Sequence, residues 1–215
     1  MIEYVKKIEE VDQNKLIVTG HSRNGKVAII IGFMNEDIAI INPANSGITG
    51  SAVVKFYGYK SSDLVYLTHK KRFHYWFKES FGKKYSRNED KLKFDSHFEL
   101  SLISPRNLLI QIDKKELFDN PIGSQIAYEG ALPVYKMMNV KNNISLDFLN
   151  KSHAHTSLEI ERLIDYANAA FTDQLKDRKF NKLPFSRTDK IKALLYDRFR
   201  ISKYNIVKTI KKIIY

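Results

Sequence analysis

Apolar residues in this chain come in short runs divided by polar turns, and the runs alternate between two periods. Residues 15–19, 38–41, 107–112 and 144–149 are compact apolar stretches with the length of buried strands. Between and around them the spacing is helical. Residues 4–11 place Tyr4, Val5, Ile8 and Val11 on one helix face, and Asp12-Gln13-Asn14 ends it. Residues 24–33 read as a helix, 73–81 and 96–103 as short helices, and 157–171 as an amphipathic one. Residues 121–138 read as a helix interrupted by Pro133, while 45–71, rich in Gly, Ser and Tyr, show no period and read as a loop region beside an active site. Strands alternating with helices predict an α/β fold with a mostly parallel sheet. No internal repeat or low-complexity segment interrupts it.

Composition narrows the class. At 215 residues and 43% hydrophobic, the chain can bury one sizeable core in one or two domains. It has no cysteine, which excludes disulfides and thiolate metal sites. No apolar run approaches the roughly 20 residues of a membrane span, and Met1-Ile2-Glu3-Tyr4-Val5-Lys6-Lys7 is too charged for a signal peptide, so the expected location is the cytoplasm.

Charge divides the chain in two. Residues 174–215 hold 13 Lys and Arg against 3 Asp and Glu, whereas the remainder holds 23 against 21. The expected division is a body over 1–172 and a basic helical tail over 173–215, with Leu183-Pro184-Phe185-Ser186 as a linker. The tail places Ile191, Leu194, Leu195 and Phe199, then Ile206, Ile210, Ile213 and Ile214, among lysines and arginines. A basic amphipathic helix of this kind suits an anionic membrane surface, or packs on the body as a solvated helix. No nucleic-acid motif accompanies the charge, so no nucleic-acid partner is expected.

The candidate chemistry begins at Thr19-Gly20-His21-Ser22-Arg23-Asn24-Gly25-Lys26, between an apolar strand and a helix. A strand, a tight glycine-flanked turn with serine at its tip and then a helix is how α/β-hydrolases present a nucleophile. The turn departs from G-x-S-x-G, since glycine follows Ser22 by three residues. A serine nucleophile needs a base and an acid to orient it, in the chain order Ser, Asp or Glu, His. His153 falls after the last strand and before the last helix, the place for the base, with His155 as competitor. Asp113, Glu116 and Asp119 follow the third strand and supply carboxylates for the acid.

Gly20-His21-Ser22-Arg23-Asn24-Gly25-Lys26 resembles the G-[CH]-S-R-x-G-K elbow of the glucuronoyl esterases and their bacterial esterase relatives. Further blocks follow in that family's order. Pro43-Ala44-Asn45-Ser46-Gly47 resembles P-x-E-S-G with asparagine in place of glutamate, and His74-Tyr75-Trp76-Phe77 resembles the W-F block. Leu92 to Leu100 resembles L-P-F-D-x-H-x-L, and Ile103-Ser104-Pro105-Arg106 resembles I-A-P-R. The resemblance runs from residue 1 to about residue 172 and leaves the tail uncovered.

The resemblance implies a serine carboxylic-ester hydrolase acting on a carbohydrate-linked ester, with no cofactor and no metal. Ser22 would be the nucleophile and His153, in a loose match to G-K-H-D, the base. Glu116 falls on the second carboxylate of E-D-L-W-x-D-P and would be the acid, with Asp113 second, since Asn45 cannot serve as a carboxylate. Arg23 would support the oxyanion; Lys26 would bond sugar hydroxyls and Trp76 line the pocket. In this family about half of the hydrolase domain precedes the elbow, so the chain reads as the C-terminal half of the fold: a fragment, one part of a split gene, or a domain whose missing N-terminal half a partner replaces. Two alternatives stay open: an acyltransferase modifying a surface polysaccharide, and an inactive or split remnant.

Overall fold

The computed structural model describes residues 2–175 and 180–196. Its centre is a four-stranded sheet of β1 (Ile17–His21), β2 (Ile40–Ala44), β3 (Asn107–Asp113) and β4 (Ile144–Leu149), all parallel and in sequence order. The helices are α1 (Ile2–Val5), α2 (Arg23–Met34), α3 (Leu64–Leu67), α4 (Glu79–Tyr85), α5 (Ser96–Ser101), α6 (Pro121–Met137) and α7 (Ser157–Phe171).

The two faces of the sheet arise from the strand period of two. Leu108, Ile110 and Ile112 of β3, with Leu16, Ile41, Ile144 and Leu146, form the main core with Ile29 of α2, Leu100 of α5 and Ala127, Ala131 and Tyr135 of α6. The alternate residues Ile40 and Leu109 meet Leu163, Tyr166 and Ala167 of α7. A separate aromatic cluster forms in the long excursion between β2 and β3, where Phe73, Trp76, Phe77, Phe81 and Tyr85 pack against Tyr57, Leu64 and Leu67.

The strand and helix assignments made from the sequence are met with shifts at their ends. The helix expected over 4–11 is confined to Ile2–Val5, and the chain then turns into a 3-10 turn, Gln13–Lys15, capped by the Asp12 carboxylate. The helix expected over 73–81 is two pieces, a 3-10 turn His74–Trp76 and α4. α6 runs through Pro133 without a break; that residue is exposed, so the carbonyl it leaves unpaired lies on the solvent side. The boundary expected at residue 172 is crossed by contacts. Phe185 exchanges two backbone bonds with the Gln125 amide at 2.9 and 3.0 Å, and Lys190 pairs with Glu129 at 2.5 Å, laying the helical stretch 187–196 on α6. Tail positions 197–215 lie outside the described residues, and no described helix is long and apolar enough to cross a membrane.

Two of the resembling sequence blocks serve the scaffold. The Arg106 guanidinium donates to the carbonyls of Gly32, Asn35 and Ile38 at 2.7, 2.8 and 3.2 Å, closing the C-terminal end of α2 where carbonyls lack helical partners. Asp95 accepts from the backbone N–H groups of Val54, Lys55 and Ser96 and starts α5 beside His97. Arg106→Met keeps the side-chain stem and removes the donors, so it should lower unfolding free energy by about 1.5–3 kcal/mol in urea titration. An unchanged midpoint would mean that water caps α2 equally well.

Candidate active site

The C-terminal ends of the parallel strands gather the reactive side chains. β1 ends at His21, and Ser22 turns the chain into α2 at φ 56°, ψ −121°. Such backbone strain in a non-glycine residue costs of the order of 1–3 kcal/mol and needs outside support. The Ser22 N–H donates to the Ala44 carbonyl at 2.8 Å, and its carbonyl accepts from Gly25 N–H at 3.0 Å. A Cβ on Gly20 would stand 2.3 Å from the Asn24 carbonyl oxygen, and one on Gly25 would stand 2.8 Å from Ser46 Cβ. The glycine three residues after the serine therefore lets the first turn of α2 lie against the end of β2.

His153 stands between the serine and a carboxylate. Its Nε2 lies 3.0 Å from Ser22 Oγ and its Nδ1 lies 2.8 Å from Asp119 Oδ2. An ionised carboxylate only accepts, which assigns the proton to Nδ1 and leaves the Nε2 lone pair facing the hydroxyl. The hydrogen bond to Asp119 raises the His153 pKa above its ordinary value against the opposing effect of burial. His21, at ring-centroid distances of 4.7 Å from His153 and 5.1 Å from His155, is pushed the other way, first by burial and then by those two neighbours. His155 thus packs on His21, and no bond joins it to Ser22.

The carboxylate beside His153 is that of Asp119 and not the expected Glu116. Glu116 precedes the 3-10 turn Leu117–Asp119 and its backbone carbonyl accepts the Asp119 N–H at 3.1 Å, whereas the carboxylate bonded to His153 is that of Asp119. Asp113, the second candidate, is buried and spends both oxygens on backbone, accepting from Lys115 N–H at 2.7 Å and from Lys151 N–H. It holds the loop that carries His153 and leaves the ring to Asp119.

Asp119 is fixed by the two residues after it. Asn120, fully buried at φ 57°, caps α6 by accepting from Gly123 N–H at 3.2 Å, accepts from Gly58 N–H at 3.1 Å and donates to the Phe56 carbonyl at 2.6 Å. Pro121 takes the first helical position, which needs no N–H. The signal in the sequence was this Asp-Asn-Pro: a residue held rigidly before a capped helix start. Gly47, at φ 61°, approaches so closely that a Cβ there would stand 3.1 Å from Asp119 Oδ1.

The other candidates surround this relay. Lys26 is half-buried and donates to the carbonyls of Ser46 and Ile48, with burial bringing its pKa down to about 8. It braces the loop after β2. The exposed Arg23 guanidinium lies 5.6 Å from the Trp76 ring, which stacks on Phe73 at 4.4 Å. Asn45 adopts φ 46°, and its side-chain oxygen accepts the Asp113 N–H at 2.6 Å, tying the ends of β2 and β3.

A family model described as glucuronyl esterase, fungi, matches residues 1–139. The chain belongs to the glucuronoyl esterase family. Among solved glucuronoyl esterases it is similar to a carbohydrate esterase family 15 enzyme from Caldicellulosiruptor kristjansonii, with TM-score 0.78 and 28% identity over 86% of this chain and 51% of that one. A carbohydrate esterase from an unknown prokaryotic organism is 30% identical over 64% of this chain and 31% of its own length. A 4-O-methyl-glucuronoyl methylesterase from Neurospora crassa is 26% identical over 78% of this chain and 43% of its own. The chain thus spans about a third to a half of the length of these three relatives.

The bond to Asp119 favours the charged His153, so its contribution to stability is full below the ordinary histidine pKa and is lost as pH rises through the raised one. An NMR titration should place His153 above about 6.5. Asp119→Asn should lower that value more than Glu116→Gln does; the reverse ranking would reinstate Glu116.

Proposed function

We propose that this chain carries the catalytic relay of a serine esterase that cleaves a uronic-acid ester on a carbohydrate. The observation that supports it is the Ser22–His153–Asp119 line, with contacts of 3.0 and 2.8 Å on a strained strand-to-helix turn. Ser22 Oγ attacks the ester carbonyl while His153 Nε2 takes its proton, and Asp119 stabilises the resulting imidazolium. The free N–H groups at the start of α2 and the adjacent Arg23 receive the negative oxygen. The leaving alcohol takes the proton from Nε2. Water then repeats the sequence on the acyl-enzyme and releases the acid. These steps require no cofactor and no metal.

The uronate ester as substrate rests on the methylesterase names of the relatives. Those names carry nothing for the acyltransferase alternative. A partner segment over β1 is supported by a different observation. β1 pairs with β2 alone among the described residues, and Ile17, Val27, Ile30 and Met34 leave an exposed apolar stripe over β1 and α2. An uncovered parallel edge of this kind is a pairing site, and a loop beside an added strand is where α/β-hydrolases find their second oxyanion donor. On the tail, the exposure of Ile191 and Leu195 supports contact with an anionic membrane surface.

The test is hydrolysis of benzyl glucuronate together with labelling by a fluorophosphonate probe. Ser22→Ala and His153→Ala should abolish both, and Arg23→Met should cost about 10²–10³ in kcat. Asp119→Asn should lower kcat by about 10⁴. Labelling that survives Ser22→Ala would overturn the assignment.

A further inference from the structure

The positive charge of the body is concentrated in one place. Residues 60–93, in the excursion between β2 and β3, hold 10 Lys and Arg against 4 Asp and Glu; the rest of the first 173 residues holds 13 against 17. Three of the excursion's acids are engaged within the protein. Asp63 caps α3 by accepting the Tyr66 N–H at 2.7 Å, Glu79 pairs with Lys83 at 2.8 Å, and Glu89 accepts from the Tyr57 hydroxyl at 2.8 Å. Lys70, Lys71, Arg72, Lys78 and Lys84 are all exposed. Holding so many like charges on one surface is unfavourable unless an anion offsets them.

The same surface has a shape. An open cleft of about 680 Å³ lies between α3 and α4, lined by His69, Lys70, His74, Lys83 and Arg87, with the paired Glu79 at its rim. His74 opens the turn His74–Trp76, in which Tyr75 is 64% exposed with its ring 5.7 Å from that of His74. Trp76 ends the turn beneath the guanidinium of Arg23, the residue next to Ser22. Cleft, exposed aromatic ring and candidate nucleophile are therefore joined through a single turn of chain.

We propose that residues 60–93 form an exosite for a polyanionic, uronate-bearing glycan whose ester is presented to Ser22. This deepens the esterase reading and rests on it for the identity of the cleaved bond. Lysine ammonium groups serve as point charges for carboxylates repeated along a sugar chain, and arginine offers a two-pronged donor to the same group. The exposed Tyr75 ring offers an apolar face for a sugar ring. A neutral glycan would leave the cationic surface unpaired, so the repeated negative charge is what the surface selects.

The test uses the full chain and oligogalacturonate of about ten sugars, with binding read by calorimetry. Affinity should fall about tenfold between about 50 and about 200 mM salt, as for other multiply charged contacts. Lys70→Ser/Lys71→Ser/Lys78→Ser should weaken binding about tenfold at low salt while leaving benzyl glucuronate turnover unchanged. Equal binding by the triple variant would overturn the exosite. So would equal affinity for a neutral xylan oligomer, or tighter binding of single-stranded DNA of the same charge. Lysine-dependent glycan binding without turnover of the small ester would keep the exosite and sink the esterase reading; turnover without such binding would do the opposite.

Discussion

Everything at the C-terminal edge of the sheet depends on the backbone of Ser22, held at φ 56° by its neighbours. The strain is sustained because the turn is anchored on both sides: its N–H is bonded to Ala44 on β2, and α2 beyond it is packed onto the sheet through Ile29. The contacts of Gly20 with Asn24 and of Gly25 with Ser46 permit this approach; a methyl group at Gly20 would push α2 off β1, and one at Gly25 would push it off the end of β2. The result is a hydroxyl that leaves the sheet plane with the positive end of a helix behind it. Arg106 at the far end of the same helix keeps α2 from sliding.

Buried polar groups translate that anchoring to the histidine. Thr19 donates to Asn42 at 2.8 Å, Asn42 bonds Gln111 at 3.1 Å, and Gln111 reaches the Glu159 carbonyl in α7 at 3.2 Å, so a polar line crosses three strands to the helix behind His153. Glu159 then bonds Lys151 and closes the capping box with Thr156, at the two ends of the loop holding His153. Asp113, secured by Asn45, takes the Lys151 N–H. Each member is bonded to another, while Asn45 Nδ2 and Glu159 Oε1 stay buried without a partner; the bonds that are made hold the network to one geometry.

The sequence carried the parts of this arrangement that depend on local pattern. Four apolar runs became four parallel strands, and the glycine-flanked Ser22 and the post-strand His153 came together as their positions demanded. The carboxylate bonded to His153 lies three residues beyond the expected Glu116, because a motif fixes identity and spacing whereas reach is decided by the direction of a turn. Glu116 precedes and Asp119 ends the same short turn, and Asp119 is followed by the Asn120 clamp, which ties the turn to Phe56. For Lys26 and Trp76, only the resemblance implies a substrate contact. The backbone carbonyls that Lys26 meets belong to a stretch whose pattern has no period, and the Phe73 ring beneath Trp76 lies in the 73–81 segment expected as one helix.

The distribution of these features separates two tasks within one chain. Ser22, Asp119 and His153 follow β1, β3 and β4 in turn, so the relay is assembled wholly from described elements. The surface that would enclose a substrate is built differently, from an excursion with its own aromatic cluster and its own charge. A packed cluster of that kind can vary its exposed lysines without disturbing the sheet, since Phe73, Phe77 and Phe81 hold it together beneath them. On the proposed reading, glycan selectivity would then change independently of the chemistry, with the turn carrying Trp76 kept against Arg23. The excursion also reaches the turn that carries Asp119, where the Ser62 N–H and hydroxyl donate to the Phe118 carbonyl at 3.0 and 2.8 Å.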